Sequence, residues 1–542
     1  MSQSATLRTP DGSSIWLPGI VACIAHHLPA NEVASTLRLI DKTTSQQFAH
    51  HKTLRLSLPS PIHVFRERWG RPSAFRALSH EQRLQLLCLT AASGSVANLE
   101  VALVSAGLDL GRELLEAAAA AGQLDMCKVL RARGCLLGLS LLTAAKAGHR
   151  HVCEWMLASG CPLNGDVVHS AASGGQEDLM QWLLTELLGR PNDDVYLVCG
   201  QLLEAAGGHL SLEALQRLWQ QLMAGRHGRK LQQQLEQLNE WDQGAILAAA
   251  AGSTTPDWQA KVAWLEGLGY PRTARACKSA VRAGNGDAAV ARLQWLHGRG
   301  YPLQAEVAEA AVSLGNLAAL RFLVEQAGVR PTGDEFPVTA AARQGHLAVL
   351  QYLHASGLPV NACSVAEEAA RAGHLPILSW AVEGQGVAPA DDAATGSLLD
   401  LAAASGNLEL MTWLHDRGWA LGPRAIHNGA GSGCEEALEW LVERGCSFPL
   451  DGGAYLGPAR NGDLAMLRCL HRLGCPWGPP GELLADCIRS LVSVAVLQCL
   501  LELGCPEMDW DAAVQLVENR APREPRERHA ALLAWLCEQQ RR

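Results

Sequence analysis

The stretch Ala144-Ala145-Lys146-Ala147-Gly148-His149-Arg150-His151-Val152-Cys153-Glu154-Trp155-Met156-Leu157-Ala158-Ser159-Gly160-Cys161-Pro162 decides the fold, because it is written again and again. Ala402-Ala403, Gly406-Asn407, Leu410, Trp413-Leu414 and Gly418 form a second clear copy. Good copies are anchored at Gly122, Gly148, Gly175, Gly315, Gly345, Gly373, Gly406, Gly433 and Gly462. The residues four and three before each anchor are mostly Ala, small enough to let two helices approach closely. Four and seven after it come apolar residues such as Val152 and Trp155, or Leu410 and Trp413, a spacing that marks one face of a helix. A second glycine follows in most copies, at Gly134, Gly160, Gly357, Gly418, Gly445 and Gly474, where a helix stops in a left-handed residue. Each copy therefore reads as helix, tight turn, helix, glycine stop. A unit of this size cannot bury its apolar face alone, so neighbours must stack into an all-α solenoid, for which partner binding is the default role.

Composition agrees. Of 542 residues 48% are hydrophobic, so the chain folds rather than staying disordered. Trp occurs 16 times against 6 Phe and 5 Tyr, as expected if Trp fills a recurring slot, read here as inward-facing core. The net charge of −9 argues against a broad phosphate-binding face, since nucleic-acid affinity rests on Lys and Arg, and no nucleic-acid partner is expected. The 17 cysteines are odd in number and contain no C-x-x-C. Many recur in Gly-Cys pairs, at Cys135, Cys161, Cys446, Cys475 and Cys505, and read as small buried hydrophobes in a reducing compartment, cytoplasmic or nuclear. No apolar run approaches the length of a membrane span, so no membrane association is expected.

The helical part of the unit resembles the ankyrin repeat. Ala341-Ala342-Arg343-Gln344-Gly345-His346-Leu347-Ala348-Val349-Leu350 follows that family's pattern closely, and the histidine of its opening motif survives as His169 and His427. The anchors Gly122, Gly148 and Gly175 lie 26 and 27 residues apart, however, against about 33 in ankyrin units. Helix pairs joined by short loops are therefore expected, about 13–15 short repeats with the β-hairpin fingers mostly absent. Recognition is then expected on the concave helical face, where a protein partner would bind a monomeric array.

Residues 15–58 differ. Leu17, Pro18, Ile20, Ile24, Leu28, Pro29, Glu32 and Val33 hold places that resemble a degenerate F-box. Pro18 suits the first position of a helix, and Pro29 ends it. The resemblance implies that Leu17, Pro18, Ile20, Ile24, Leu28, Pro29 and Val33 dock the adaptor subunit of a cullin–RING (SCF-type) ubiquitin ligase, with the array holding the protein to be modified. The other reading is a helical cap that shields the first repeat, in a plain ankyrin scaffold with no ubiquitin role. The expected organisation is a disordered N-terminus (1–14), the F-box-like head (15–58), a connecting segment (59–85) and the array (86–542), with an irregular insertion at about 209–247.

No zinc-protease, phosphate-loop or nucleophile-elbow motif occurs, so no enzyme, catalytic residue, metal or cofactor is expected. The histidines that follow the anchors, His149, His346 and His374, read as turn residues.

Overall fold

The computed structural model describes residues 18–189, 199–224, 237–284, 286–389, 397–518 and 526–541. Among these the secondary structure is helical, with no strand and a single isolated bridge between Leu108 and Asp463. The array is a stack of antiparallel helix pairs. It runs from His80–Ala92 with Val96–Ala106 to Trp510–Glu518 with Arg526–Arg541, and fifteen pairs can be followed along it. The first pair starts at His80, behind a Ser79–Gln82 capping box. The helix Leu212–Ala224 and the first part of Glu240–Ala251 fall in the stretch expected to be an insertion. The N-terminus expected to be disordered and the middle of the expected insertion, residues 225–236, lie outside the described residues.

The repeated residues build each pair directly. Ala144 and Ala145 are fully buried between neighbouring first helices. Gly148 takes φ 86° and ends the first helix, and the His149 N–H returns to the Ala144 carbonyl at 3.0 Å. That is a Schellman stop, which only glycine enters without strain. Gly160 repeats the device at the end of the second helix, with Cys161 N–H on the Met156 carbonyl at 3.1 Å. The turn histidines then tie one pair to the last. His149 Nε2 lies 3.0 Å from the Ala120 carbonyl and His374 Nε2 lies 2.9 Å from that of Arg343. Asn316 and Asn407 do the same with their side-chain amides.

Neighbouring first helices pack on one another throughout the array, through their alanines, while the second helices carry the bulkier residues and stand further apart. The first helices therefore line the inner, concave side. The repeated Trp corrects the sequence expectation. Trp155, Trp182, Trp380 and Trp413 are half-buried against the core, whereas Trp440, 7% exposed, lies within it as expected. In several copies a guanidinium covers the indole from the solvent side. Arg150 sits 4.6 Å over Trp182, Arg417 3.9 Å over Trp413 and Arg444 3.9 Å over Trp440.

Short loops have a large consequence. Only residues 161–164 separate the helix Arg150–Ala158, after its glycine stop, from Gly165–Ser173, which leaves no room for a hairpin finger. The loop edge of the stack is therefore flat, and after twelve pairs the chain returns beneath its own start. The loop edge of the first pair sits on the turn edge of the twelfth and thirteenth. Asp109 N–H donates to the Gly462 carbonyl and Ala465 N–H to the Gly107 carbonyl, both at 2.9 Å. Arg83, 1% exposed, donates from Nη1 to the Ala106 carbonyl (2.9 Å) and Asp463 Oδ1 (3.0 Å), and from Nη2 to the Gly433 carbonyl (2.7 Å) and Asp463 Oδ2. Arg76 pairs with Glu435 and Glu439 at the rim of this seam. The solenoid is thus a closed coil rather than an open arc.

Candidate functional site

The head comprises Pro18–His27, Ala30–Ser35, a 3-10 turn at Leu37–Leu39 and Lys42–Gln47. It has its own small core of Val21, Val33, Leu37 and Phe48, separate from the array's core. Asn31 is 1% exposed and pins the following loop: its amide donates to the Arg55 carbonyl (2.8 Å) and Ser60 Oγ (2.9 Å), while its Oδ1 accepts from Arg55 N–H (2.8 Å). Buried polar groups are tolerated when paired in this way. Nothing in the sequence pattern singled Asn31 out.

The residues singled out in the head separate into two sets. Ile20 and Ile24, one helical turn apart, are exposed at 44% and 37%, beside exposed Pro29. Val33 is buried in the head's core and Leu28 packs against it, so these two support the exposed face rather than form it. Pro18 opens the first helix, and Leu17 lies outside the described residues.

The segment that closes the array is a different one. Ile62–Trp69 packs on Val96–Ala106, with Phe65 and Phe75 buried in the array's core and the Trp69 and Phe75 rings 5.4 Å apart.

The described cysteines are free thiols, and most are buried among apolar neighbours. Burial pushes Cys153, Cys277, Cys469 and Cys487 up to about 12, so they are protonated hydrophobes at neutral pH. Lys261 is fully buried, and its Nζ donates to the carbonyls of Gly207 (2.8 Å) and Leu210 (2.7 Å) and to Ser253 Oγ (2.6 Å). It closes the C-terminal end of the helix Cys199–His209, where carbonyls would otherwise go unpaired. Burial pulls its pKa down to about 8. Among the described residues no group of His, Cys, Asp and Glu is arranged to hold a metal ion, and no helix is long and apolar enough to cross a membrane.

No protein-family model matches the chain, and no curated protein matches it. Solved structures do. The pentatricopeptide repeat protein PPR10 from maize is 14% identical, with 96% of this chain and 88% of that chain covered and a TM-score of 0.25. PPR10 in complex with an 18-nt psaJ RNA element is 12% identical over the same shares, with a TM-score of 0.26. These neighbours share the class of helical-repeat protein. Against the expectation that no nucleic acid is a partner, these neighbours include PPR10 in complex with an RNA element.

Proposed function

We propose that this protein is a non-enzymatic adaptor of ankyrin type, with a docking head and a coiled recognition array. It works in a reducing compartment, cytoplasmic or nuclear. Helices of about nine residues ending in left-handed glycines, with turn-edge His and Asn side chains reaching back to the previous unit, support the ankyrin reading.

In the finer form of this reading the protein is a substrate receptor of a cullin–RING ubiquitin ligase. The head takes the ligase's adaptor subunit and the array holds the target, so the protein contributes proximity rather than chemistry. One observation carries it. A cap would share an apolar core with the first repeat, but here that role falls to Ile62–Trp69 and Phe75, while the head keeps a separate core and presents Ile20 and Ile24 to solvent. A plain scaffold gives no reason for a second, detached apolar face.

Ile20→Asp with Ile24→Asp tests it. Both side chains are exposed, so the fold should survive, which circular dichroism checks. The wild-type chain is expected to retain the ligase adaptor on co-purification and the double variant to lose it. Equal retention by both, or none by the wild type, removes the ligase reading and leaves the scaffold.

A further inference from the structure

An open cleft of about 600 Å³ crosses the concave side between Gly165–Ser173, Cys199–His209, Glu240–Ala251 and Ala274–Ala283. Gly208, Ala245, Ala249 and Gly252 line it with almost no side chain, so a bound chain can lie close to the helix backbones. One wall is cationic. Arg275, Lys278 and Arg282 project from a single helix at spacings of three and four, and His169 and His209 face them from the opposite side. Glu204 is the single carboxylate among the lining residues. Lys278 is engaged by Glu306 at 3.7 Å, but Arg282 has no ion-pair partner among the described residues. Burial, and after it the nearby charges of Lys146 and Lys261, hold the pKa of His209 below its ordinary value. At the cleft's edge Trp241 is 66% exposed, with the Arg275 guanidinium 4.1 Å over its ring. An exposed Trp–Arg pair beside a concave surface has the composition of a binding hot spot.

The closed coil limits the size of what can reach this cleft. Twelve first helices at axis separations of about 8–10 Å make a turn of roughly 100–120 Å in circumference. Subtracting the helix radius, about 5–6 Å, leaves a clear width of roughly 20–28 Å. A folded domain of about 100 residues has a radius of gyration near 13 Å, hence a diameter above 30 Å, and does not enter. A helix or an extended segment does.

We propose that the cleft between residues 165 and 283 binds an acidic segment of a partner protein, whose carboxylates meet Arg282, Lys278 and Arg275 while an apolar side chain packs on Trp241. This deepens the adaptor reading by naming the chemistry of the array's target, and it rests on that reading. A single-stranded nucleic acid fits less well. Its bases need successive aromatic platforms, and the cleft offers one indole, already covered on one face by Arg275.

The full-length chain, immobilised, is used to select from a random dodecapeptide library, and the selected peptide is then titrated by fluorescence anisotropy. Selected sequences are expected to be rich in Asp and Glu, and Lys278→Glu and Arg282→Glu should each weaken binding about tenfold, as close interfacial charge pairs do. Circular dichroism confirms that these surface variants fold. Absence of acidic enrichment, or binding unchanged by charge reversal, overturns the proposal. So does an 18-nt polyuridine RNA that binds more tightly than the selected peptide and is itself weakened by the same reversals. The Ile20→Asp, Ile24→Asp variant separates the two readings: it should select the same peptides, whether or not it has lost the ligase adaptor.

Discussion

Removing the Asp463 carboxylate should open the coil at its seam. In Asp463→Ala the Arg83 guanidinium stays buried, 1% exposed, with only the Ala106 and Gly433 carbonyls for partners. Breaking a buried ion pair from one side costs about 3–5 kcal/mol, because an uncompensated charge remains. Asp463 also caps the helix Leu464–Arg472, its Oδ1 accepting from Met466 N–H at 3.0 Å, which adds about 1 kcal/mol to the cost. Asp463→Asn keeps a cap and isolates the charge term, so it should cost about 3 kcal/mol. Arg83→Met combined with Asp463→Asn should cost less than the sum of the two single changes, since neither partner is then a stranded charge. Because a repeat array does not unfold in one step, the assay must report on the seam itself. Hydrogen exchange at the Asp109 and Ala465 amides does so, as both donate across it. In Asp463→Ala, exchange there should quicken by about three to four orders of magnitude, while amides in the middle of the array, around Ala308, hold their rates. Exchange at Asp109 and Ala465 within about fivefold of wild type in Asp463→Ala would refute the view that this pair holds the coil closed.

Other expectations are equally direct. The buried thiols predict alkaline lability. Burial holds their folded pKa values near 11–12 against an ordinary thiol value of 9.0, so the stability they contribute is complete below pH 9 and is lost as pH rises towards 12. Urea midpoints under reducing conditions should fall from about pH 9 upward, and Cys153→Ala with Cys277→Ala should flatten that fall. Lys261 acts in the opposite sense. With a folded pKa of about 8 against 10.5, the unfolded chain binds the extra proton between those values, so this group adds stability as pH rises. Subtracting the pH profile of Lys261→Met from that of the wild type should reveal a rise of about 3 kcal/mol between pH 8 and 10.5, and a flat difference would contradict it. Deleting one whole unit, Gly406 to Ser432, should spare helicity better than deleting half of one, because whole units stack independently. Yet it should quicken exchange at Asp109, since the seam then meets the wrong neighbour.

Much of this architecture was legible in the sequence. Every anchor glycine and every stop glycine named from its spacing adopts positive φ, from Gly122 at 72° to Gly474 at 81°. Local rules suffice there, because a left-handed residue and an Ala–Ala pair act within one unit. The Trp positions were found and their burial misjudged, because a period of 3.6 reports which face a residue occupies but not how wide the gap behind it is. The seam was invisible for a different reason. Arg83 looks like any helix-start arginine, and its partner lies 380 residues away. Only the accumulated curvature of twelve short-looped pairs brings the two together, and no single unit encodes that sum. The cleft was hidden in the same way, since Arg275, Lys278 and Arg282 gain a function only once His209 and Gly252 arrive from neighbouring helices.

The seam also has a history in time. A ribosome adds about 5–20 residues each second, so the edge around Arg83 waits roughly 20–80 s before Asp463 is made. The other pairs can lean on their neighbours as they emerge. That edge alone stays open, offering unpaired backbone groups at Gly107 and Asp109 and a guanidinium in need of a carboxylate. On a crowded polysome an adjacent nascent chain offers the same edge, and closing onto it would make a swapped dimer whose contacts are all native. The length of that exposure is set by how fast residues 84–463 are translated.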